Sequence, residues 1–167
     1  MELRLATAED APVIARVHLD SWRATYRGIV SASFARTRTY RRTTARWREF
    51  LATTASETYL VQSGDKTAGI VTLGGARDTD VDAGHTGEIW GLYLSPTHWR
   101  KGIGRQVIAE AERMLKSQGY QVVVLWVLEA NDRARRFYEA MGFAADGASK
   151  DVDMGGPIKA VRYRKGL

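Results

Sequence analysis

The stretch 88–141 constrains the fold more than any other part of this chain, because it alternates strand-like and helix-like patterns. Residues 88–94 are rich in β-formers and are stopped by Ser95-Pro96. Apolar residues at helical spacing follow from Gly102 to about Gln118. The run 122–127 is apolar and β-branched, which is typical of a strand buried on both faces. Two strands joined through a helix in this way are predicted to lie parallel in one sheet.

The remaining elements predict an otherwise antiparallel, meandering sheet, so the fold class is α/β (α+β) with a mixed sheet. The polar, glycine-bearing segment 74–87 is predicted to be a loop. The other predicted elements are a strand at 3–5, a helix from about 7 to 26, a second helix from Ser31 or Ser33 to Leu51, strands at 58–62 and 68–73, a helix from Asn131 or Asp132 to Met141, and final strands near Phe143 and at 158–164.

Length and composition narrow the class of protein. The chain has 167 residues, which predicts a single domain over 1–167. The absence of cysteine excludes disulfides, thiolate metal sites and a cysteine-bound covalent intermediate. No apolar signal core precedes the first strand, and the longest apolar run, 122–128, is far shorter than the roughly 20 residues of a membrane span. We therefore expect a cytoplasmic protein without a membrane partner.

Basic residues surround a pair of glycines at 99–105, where a predicted strand leads into a predicted helix. Arg100, Lys101 and Arg105 flank Gly102 and Gly104 in a chain of net charge +6. The first amides of a helix lack intrahelical partners, and glycine lets a phosphate approach them closely. The segment therefore suits an anion-binding turn, although a plain strand-to-helix turn explains the glycines equally well.

Two common phosphate-binding loops are excluded at this turn by their spelling. The chain contains no Gly-x-x-x-x-Gly-Lys-Ser/Thr sequence. A dinucleotide-binding fingerprint requires a third glycine at position 107, which is Val107 here.

Two motifs resemble those of the GNAT acyltransferase superfamily. The residues 88–96 with 100–104 resemble its acetyl-coenzyme A motif, and 131–143 resembles its closing motif, Asn-x-x-Ala-x-x-Phe-Tyr-x-x-x-Gly-Phe. The resemblance implies the GNAT fold, with helices on both faces of the sheet and the parallel strand pair at the cofactor cleft. It also implies transfer of acetyl from acetyl-CoA to an amine. Trp99 departs from the motif, which usually has Gln or Arg at that position.

The resemblance also implies roles for individual residues. Backbone groups of the strand 92–94 pair with the pantetheine arm of the cofactor, and amides from Arg100 to Arg105 hold its pyrophosphate. Asn131 contacts the cofactor, Tyr138 lies near its sulfur, and Glu88 stands where some members keep a general base. The predicted cofactor-binding residues are Leu92, Tyr93, Leu94, Arg100, Lys101, Gly102, Ile103, Gly104, Arg105, Asn131 and Tyr138.

The chemistry of acetyl transfer needs a proton acceptor for the amine and a proton donor for the thiolate. Tyr138 can supply the donor, and it shares one helix face with Asn131 because seven positions correspond to about 20° around a helix. Burial would raise the pKa of Glu88 and make it a usable base, directly or through water. Without cysteine, we expect direct transfer in a ternary complex. His18, His85 and His98 are interpreted as surface histidines, and no cluster predicts a metal site.

The acceptor amine stays open at this level. Trp22 and Tyr26 are one helical turn apart, and either line the acceptor pocket or belong to the core. The arginine-rich helix 36–48 would repel a polyamine only if it lined that pocket. Polyamines, amino acids, aminoglycoside-type drugs and protein N-termini all remain candidates.

A non-catalytic reading competes with the enzyme. The chain would then be an acyl-CoA sensor, or a basic module that binds nucleic acid. No nucleic-acid-binding motif is visible, and both Asn131 and Tyr138 are present, so the enzyme with acetyl-CoA and an amine as partners is favoured. Members of the superfamily are often homodimers, but no interface is legible in the sequence.

Overall fold

A computed structural model describes residues 1–53 and 55–167, and it contains one mixed sheet of seven strands in the order β1-β2-β3-β4-β5-β7-β6. Neighbouring strands are antiparallel except β4 and β5, which are parallel as predicted. The strands are β1 Glu2–Leu5, β2 Glu57–Ser63, β3 Lys66–Gly75, β4 Thr86–Leu94, β5 Val122–Leu128, β6 Ala144–Asp153 and β7 Pro157–Gly166, and the α-helices are α1 Ala11–Tyr26, α2 Ala32–Thr37, α3 Tyr40–Thr53, α4 Ile103–Ser117 and α5 Asp132–Ala140.

Helices cover both faces of this sheet, as the sequence predicts. Val61 and Val71 pack with α4 in the larger core cluster, whereas their neighbours Leu60 and Ile70 pack with Ile14 of α1 in a second cluster. Successive side chains of a strand point to opposite faces, so the two clusters lie on opposite sides of the sheet. The second cluster also includes Trp47 and Leu51 of α3. The α/β fold class is therefore confirmed.

The parallel strands β4 and β5 separate halfway along their length. They pair from Thr86–Val122 to Ile89–Leu125. Beyond that point β4 stays paired with β3, and β5 stays paired with β7. The register of β3 against β4 shifts after Thr72, which leaves Trp90 as an extra residue in β4. A bulge of this kind bends its strand, and here it coincides with the start of an opening, the strand gap, between 90–94 and 126–128.

The prediction of one helix from Ser31 or Ser33 to Leu51 is wrong, because the helix is interrupted between α2 and α3. Arg38 has an extended conformation with φ −85° and ψ 97°. The Thr39 hydroxyl then accepts a hydrogen bond from the Arg42 amide at 3.3 Å, which starts a new helix. Threonine competes with helical backbone bonds in this way and favours helix ends over helix interiors. The break places Arg38 in the connection between α2 and α3 instead of on a helix.

Candidate active site

A groove of about 500 Å³ runs along the strand gap to the start of α4, and we call it the glycine-loop groove. Its walls come from the end of β4, the loop before α4, the end of β5 and one face of α5. Asn131 and Tyr138 both line it, as their shared helix face predicts. The other lining residues include Ser21, Thr25, Tyr26, Trp90, Leu92, Tyr93, Leu94, Trp99, Arg100, Gly102, Gly104, Arg105, Trp126 and Arg133.

The loop before α4 presents a row of free backbone amides to this groove. Arg100 and Gly102 both adopt positive φ, at 60° and 77°. The first backbone bond of the helix is donated by the Gln106 amide to Gly102. None of the backbone amides of 100–105 donates a hydrogen bond to a protein group within residues 1–53 and 55–167. The helix dipole adds positive potential at the same place, so the loop is suited to hold a phosphate.

Gly104 leaves little room for a side chain between α4 and α5. A Cβ there would lie 3.2 Å from the Phe137 ring and 3.5 Å from the Leu94 side chain. Contacts of 3.2 Å are shorter than ordinary carbon–carbon contact, so a Cβ there would require the Phe137 ring to shift by a few tenths of an ångström. The small residue keeps the loop close to the floor of the groove.

Two of the predicted loop residues, Lys101 and Ile103, do not line the groove. Arg100, Gly102, Gly104 and Arg105 line the groove. The Lys101 side chain is exposed and outside the groove lining, and Ile103 is 7% exposed within the core. The amide groups of these two residues nevertheless belong to the unpaired row.

The backbone of Leu92 faces the strand gap. The Ser95 amide donates to Ala68 of β3 at 2.8 Å. Because bonding directions alternate along an antiparallel strand, Gly91 and Tyr93 also bond to β3, and Leu92 and Leu94 direct their backbone groups away from it. These groups can pair with an extended ligand as a further strand would.

Trp99 hydrogen-bonds to the last carbonyl of this strand edge. Its indole N–H donates to the Leu94 carbonyl at 2.8 Å, and the Arg133 guanidinium stacks on its ring at 3.7 Å from the centroid. The residue that departs from the family motif therefore fastens the loop to the end of β4. It also holds a cation from α5 beside the free amides, and the stacking is a favourable cation–π arrangement.

Asn131 has a structural task in addition to its place in the groove. Its side-chain oxygen accepts the Ala134 amide at 3.2 Å and so caps α5. The residue is 8% exposed. The side-chain amide nitrogen remains as a donor toward the groove.

Three tyrosines with free hydroxyls line the groove, namely Tyr26, Tyr93 and Tyr138. Burial raises the pKa of each of them, and Tyr93 raises the pKa of the other two further. In the described part of the chain none of the three hydroxyls has a hydrogen-bond partner, and none is sealed from solvent. All three are therefore protonated donors that are free for a ligand.

Glu88 is buried in the sheet and does not line the groove. It is 1% exposed, and its Oε2 accepts the Arg77 amide at 3.0 Å and the Arg77 Nε at 3.1 Å. The Arg77 terminal nitrogen donates to the other carboxylate oxygen. Glu88 lines neither the glycine-loop groove nor the cavity described next. The carboxylate thus orients Arg77, and its role as a base remains a prediction that this geometry does not favour.

A second cavity of about 500 Å³ lies on the other side of β4, between the sheet, α1 and α3. We call it the arginine-lined cavity after Arg38, Arg46 and Arg77. It shares Trp90, Gly91 and Tyr93 with the glycine-loop groove. Its other lining residues are His18, Leu19, Trp22, Thr43, Trp47, Glu49, Phe50, Thr53 and Thr72.

The two predicted acceptor residues divide between the two spaces. Trp22 lines the arginine-lined cavity, and Tyr26 lines the glycine-loop groove. Their rings contact edge to face with centroids 5.4 Å apart. Trp22 is also 3% exposed and belongs to the core, while a role in acceptor binding remains a prediction for both residues.

The prediction that His18 is a surface histidine is wrong. Its Nδ1 accepts the Trp47 indole N–H at 2.8 Å, and its ring lies 4.2 Å from that of Tyr93. Burial, and then the charges of Arg38 and Arg46, lower the pKa of His18 to about 4. The imidazole is therefore neutral near pH 7, with Nε2 as the remaining ring nitrogen.

Comparison with known proteins identifies the family. The sequence matches the model of the acetyltransferase (GNAT) family over residues 19–143. It is 29% identical over 139 residues to the uncharacterized N-acetyltransferase YuaI of Bacillus subtilis, covering 83% of this chain and 77% of that protein. It is 27% identical over 154 residues to the spermidine N(1)-acetyltransferase of Thermoplasma acidophilum, covering 87% and 89% of the two chains.

A solved structure shares the fold. The PaiA N-acetyltransferase from Thermoplasma acidophilum, in complex with coenzyme A, has a TM-score of 0.72 at 23% identity, over 99% of this chain and 98% of that one. The chain belongs to the GNAT acetyltransferase family. It is an N-acetyltransferase that depends on acetyl-CoA, which confirms the predicted family, fold and enzyme class.

Sequence reasoning missed most of the arginine-lined cavity. His18 and Trp22 share the predicted face of α1, so that pairing was accessible from helical spacing. No local pattern connects Arg38, Arg77 and Trp90, which come from three separate segments. Among the described residues no His, Asp and Glu group is arranged to hold a metal ion, and no helix has both the length and the hydropathy to cross a bilayer.

Proposed function

We propose that this enzyme acetylates a primary amine by direct attack, with acetyl-CoA and the amine bound together in the domain 1–167. The observation that carries the proposal is the shared wall of the two cavities. Trp90, Gly91 and Tyr93 border both, so ligands in the two spaces approach each other across one strand. Holding both reactants in this way supplies the proximity that a two-substrate reaction needs.

The residues of the glycine-loop groove fit coenzyme A along its length. Amides of 100–105, with Arg100 and Arg105, donate to the diphosphate. The Leu92 carbonyl and the Leu94 amide pair with the pantetheine arm, and Asn131 adds a donor near its middle. When bound, acetyl-CoA supplies the activated acetyl thioester.

The chain's own groups then handle charge and protons at the end of the groove. The Leu92 amide donates to the carbonyl oxygen, where negative charge develops as the amine nitrogen forms its bond to the acetyl carbon. Tyr138 gives its proton to the sulfur as the carbon–sulfur bond breaks, and its phenolate takes up the proton that the former amine nitrogen loses, so the products are the amide, the free thiol and neutral Tyr138. The arginine cations lower the pKa of an amine bound beside them, which favours the neutral, nucleophilic form.

The proposal is tested by combining calorimetry with initial rates. Acetyl-CoA should bind in a titration, and thiol should be released when an acceptor amine is added. Initial rates measured at several concentrations of both substrates should give intersecting reciprocal plots, as a ternary complex requires. Parallel plots would contradict direct transfer. Retention of DNA at physiological salt without binding of acetyl-CoA would favour the non-catalytic alternative.

A further inference from the structure

We infer that the acceptor amine carries an anionic group on an apolar or aromatic body, and that the arginine-lined cavity binds this group. The inference rests on the proposed function, because it names the substrate class of the same site. An α-amino acid with an apolar side chain has this chemistry, with its carboxylate as the anion. An aminophosphonate presents the same charge by a different group, and the test below separates the two.

The first support is the charge of the cavity. Arg38 and Arg46 line it, and among the described residues neither has a carboxylate within 4 Å. Arg77 is neutralised by Glu88, which leaves Glu49 as the acidic residue in the lining. Two guanidinium groups without carboxylate partners therefore line one open cavity, with Arg38 half-buried and Arg46 exposed. Guanidinium groups bind carboxylate and phosphonate through charge-assisted, often bidentate hydrogen bonds.

The second support is the electrostatic repulsion between Arg38 and Arg46. Burial lowers the pKa of Arg38, and the neighbouring Arg46 lowers it further. Arg38 is half-buried and Arg46 is exposed, so the repulsion between them is unfavourable chiefly at Arg38 unless an anion joins them. A bound carboxylate would relieve this repulsion.

The third support is the aromatic character of the remaining walls. Trp22, Trp47, Phe50, Trp90 and Tyr93 all line the cavity. The Arg38 guanidinium stands 5.1 Å from the Trp22 ring, and that of Arg77 stands 4.1 Å from the Trp90 ring. Flat apolar walls beside cations suit a ligand that has an apolar body and one charged end.

The same features disfavour a polyamine. The relative from Thermoplasma acidophilum is named for spermidine. A polycation in this cavity would meet the uncompensated charges of Arg38 and Arg46, with Glu49 as the opposing acid. Like charges brought together in a partly desolvated space repel strongly, so this chain should discriminate against such acceptors.

The test compares three N-acetyl ligands that differ only in the anionic group, and adds spermidine as a polycation. Binding to the coenzyme A-saturated protein is measured by calorimetry for N-acetylphenylalanine, its phosphonate analogue, N-acetylphenethylamine and spermidine. We expect the two anions to bind roughly 10- to 100-fold more tightly than N-acetylphenethylamine, because hydrogen bonds to charged groups have this strength. The tighter of the two anions identifies the group. Equal binding of the anionic and neutral compounds, no binding of either, or tighter binding of spermidine would overturn the inference.

Matched variants locate the effect. Arg38→Gln and Arg46→Gln should each remove most of the preference for the anion, measured as the ratio of its affinity to that of N-acetylphenethylamine in the same variant. Arg48→Gln is the control, since Arg48 is exposed on the same helix and outside the cavity lining. A preference that survives both cavity variants would also overturn the inference. Thiol release with any amine is scored separately, so a failed inference about the anion remains distinguishable from a failed proposal of acetyl transfer.

Discussion

The Glu88 carboxylate accepts three hydrogen bonds from Arg77, whose backbone amide, Nε and terminal nitrogen are the donors. A base must be able to take a proton and must reach the amine, directly or through one water. Glu88 is 1% exposed and lines neither cavity. The sequence predicts that Glu88 opens the strand, but Glu88 is the third residue of β4, and Arg77 gives it a structural task.

Glu88→Gln separates the two roles. We expect the pH–rate profile to keep its shape, because the carboxylate does not take up the amine proton. We also expect a loss of about 1–3 kcal/mol in the free energy of unfolding, since a guanidinium loses a charged partner. Denaturant unfolding and rates from pH 6 to pH 9 measure the two effects. A displaced basic or acidic limb would restore Glu88 as the base.

Tyr138 offers the clearest test of the chemistry. Tyr138→Phe removes the proton donor for the thiolate but keeps the ring against Phe137 and Phe143. We expect kcat to fall about 100-fold, at the lower end of general acid catalysis, with little change in the affinity for acetyl-CoA. Steady-state rates and calorimetry give both values.

The matched control for this change is Tyr40→Phe. The Tyr40 hydroxyl donates to Asp20 at 2.6 Å and lies outside both cavities. It should therefore leave kcat unchanged. If Tyr138→Phe were as active as this control, Tyr138 would have no part in proton transfer.

At the scale of elements, the site depends on how closely α4 and α5 approach each other beside the strand gap. Gly104 lies at their contact, where a Cβ would meet the Phe137 ring at 3.2 Å. Trp99 adds a second constraint, because it joins the loop to the Leu94 carbonyl. The amide row is thus fixed by packing on one side and by a hydrogen bond on the other.

Gly104→Val should weaken acetyl-CoA binding about tenfold, because the branched side chain displaces the loop from α5 and misaligns its amides. Calorimetry measures the affinity, and circular dichroism checks that the helices persist. Gly119→Ala is the control at the other end of α4. That residue has φ 96°, so the change costs about 1–2 kcal/mol of stability through backbone strain but should not alter the affinity. Equal affinities in the two variants would show that the Gly104 contact does not position the loop.

At the scale of the whole molecule, α1, α3 and β4 meet at His18. Trp47 donates to its Nδ1, Tyr93 packs on its ring, and Arg38 and Arg46 raise the local potential. The folded protein therefore holds this histidine neutral, with a pKa of about 4 against 6.5 for an unperturbed histidine. Protonation is linked to unfolding of the surrounding structure.

This linkage predicts a loss of stability in mild acid. Because the folded pKa of His18 is lowered, the unfolded chain binds more protons between pH 6.5 and about pH 4, and stability falls as the pH decreases through that window. We expect the free energy of unfolding to drop by about 2 kcal/mol from pH 7 to pH 5 on this account. Denaturant titrations at both pH values measure the drop. His18→Gln keeps an acceptor for Trp47 but does not titrate, so the same drop in that variant would exclude His18 as its source.

The segment 88–141 shows which features of the molecule can be predicted from local sequence patterns. Its strand–helix–strand order, the glycine turn and the shared face of Asn131 and Tyr138 all depend on neighbours along the chain, so they were predictable. The bulge at Trp90 was not, because it is a shift in pairing between two strands and has no signature in either one alone. The helix break at Arg38 was missed because threonine is tolerated in helices as well as at their ends.

The sequence by itself determined the family, the parallel strand pair and the loop that suits a phosphate, since each depends on short-range spacing and on the conformational preferences of glycine. Only the tertiary structure decided what surrounds the second cavity. Arg38, Arg46 and Arg77 are brought together by the packing of α3 and the β3–β4 loop against one sheet face. Such convergence of distant segments depends on the sum of all packing contacts, which no local pattern records.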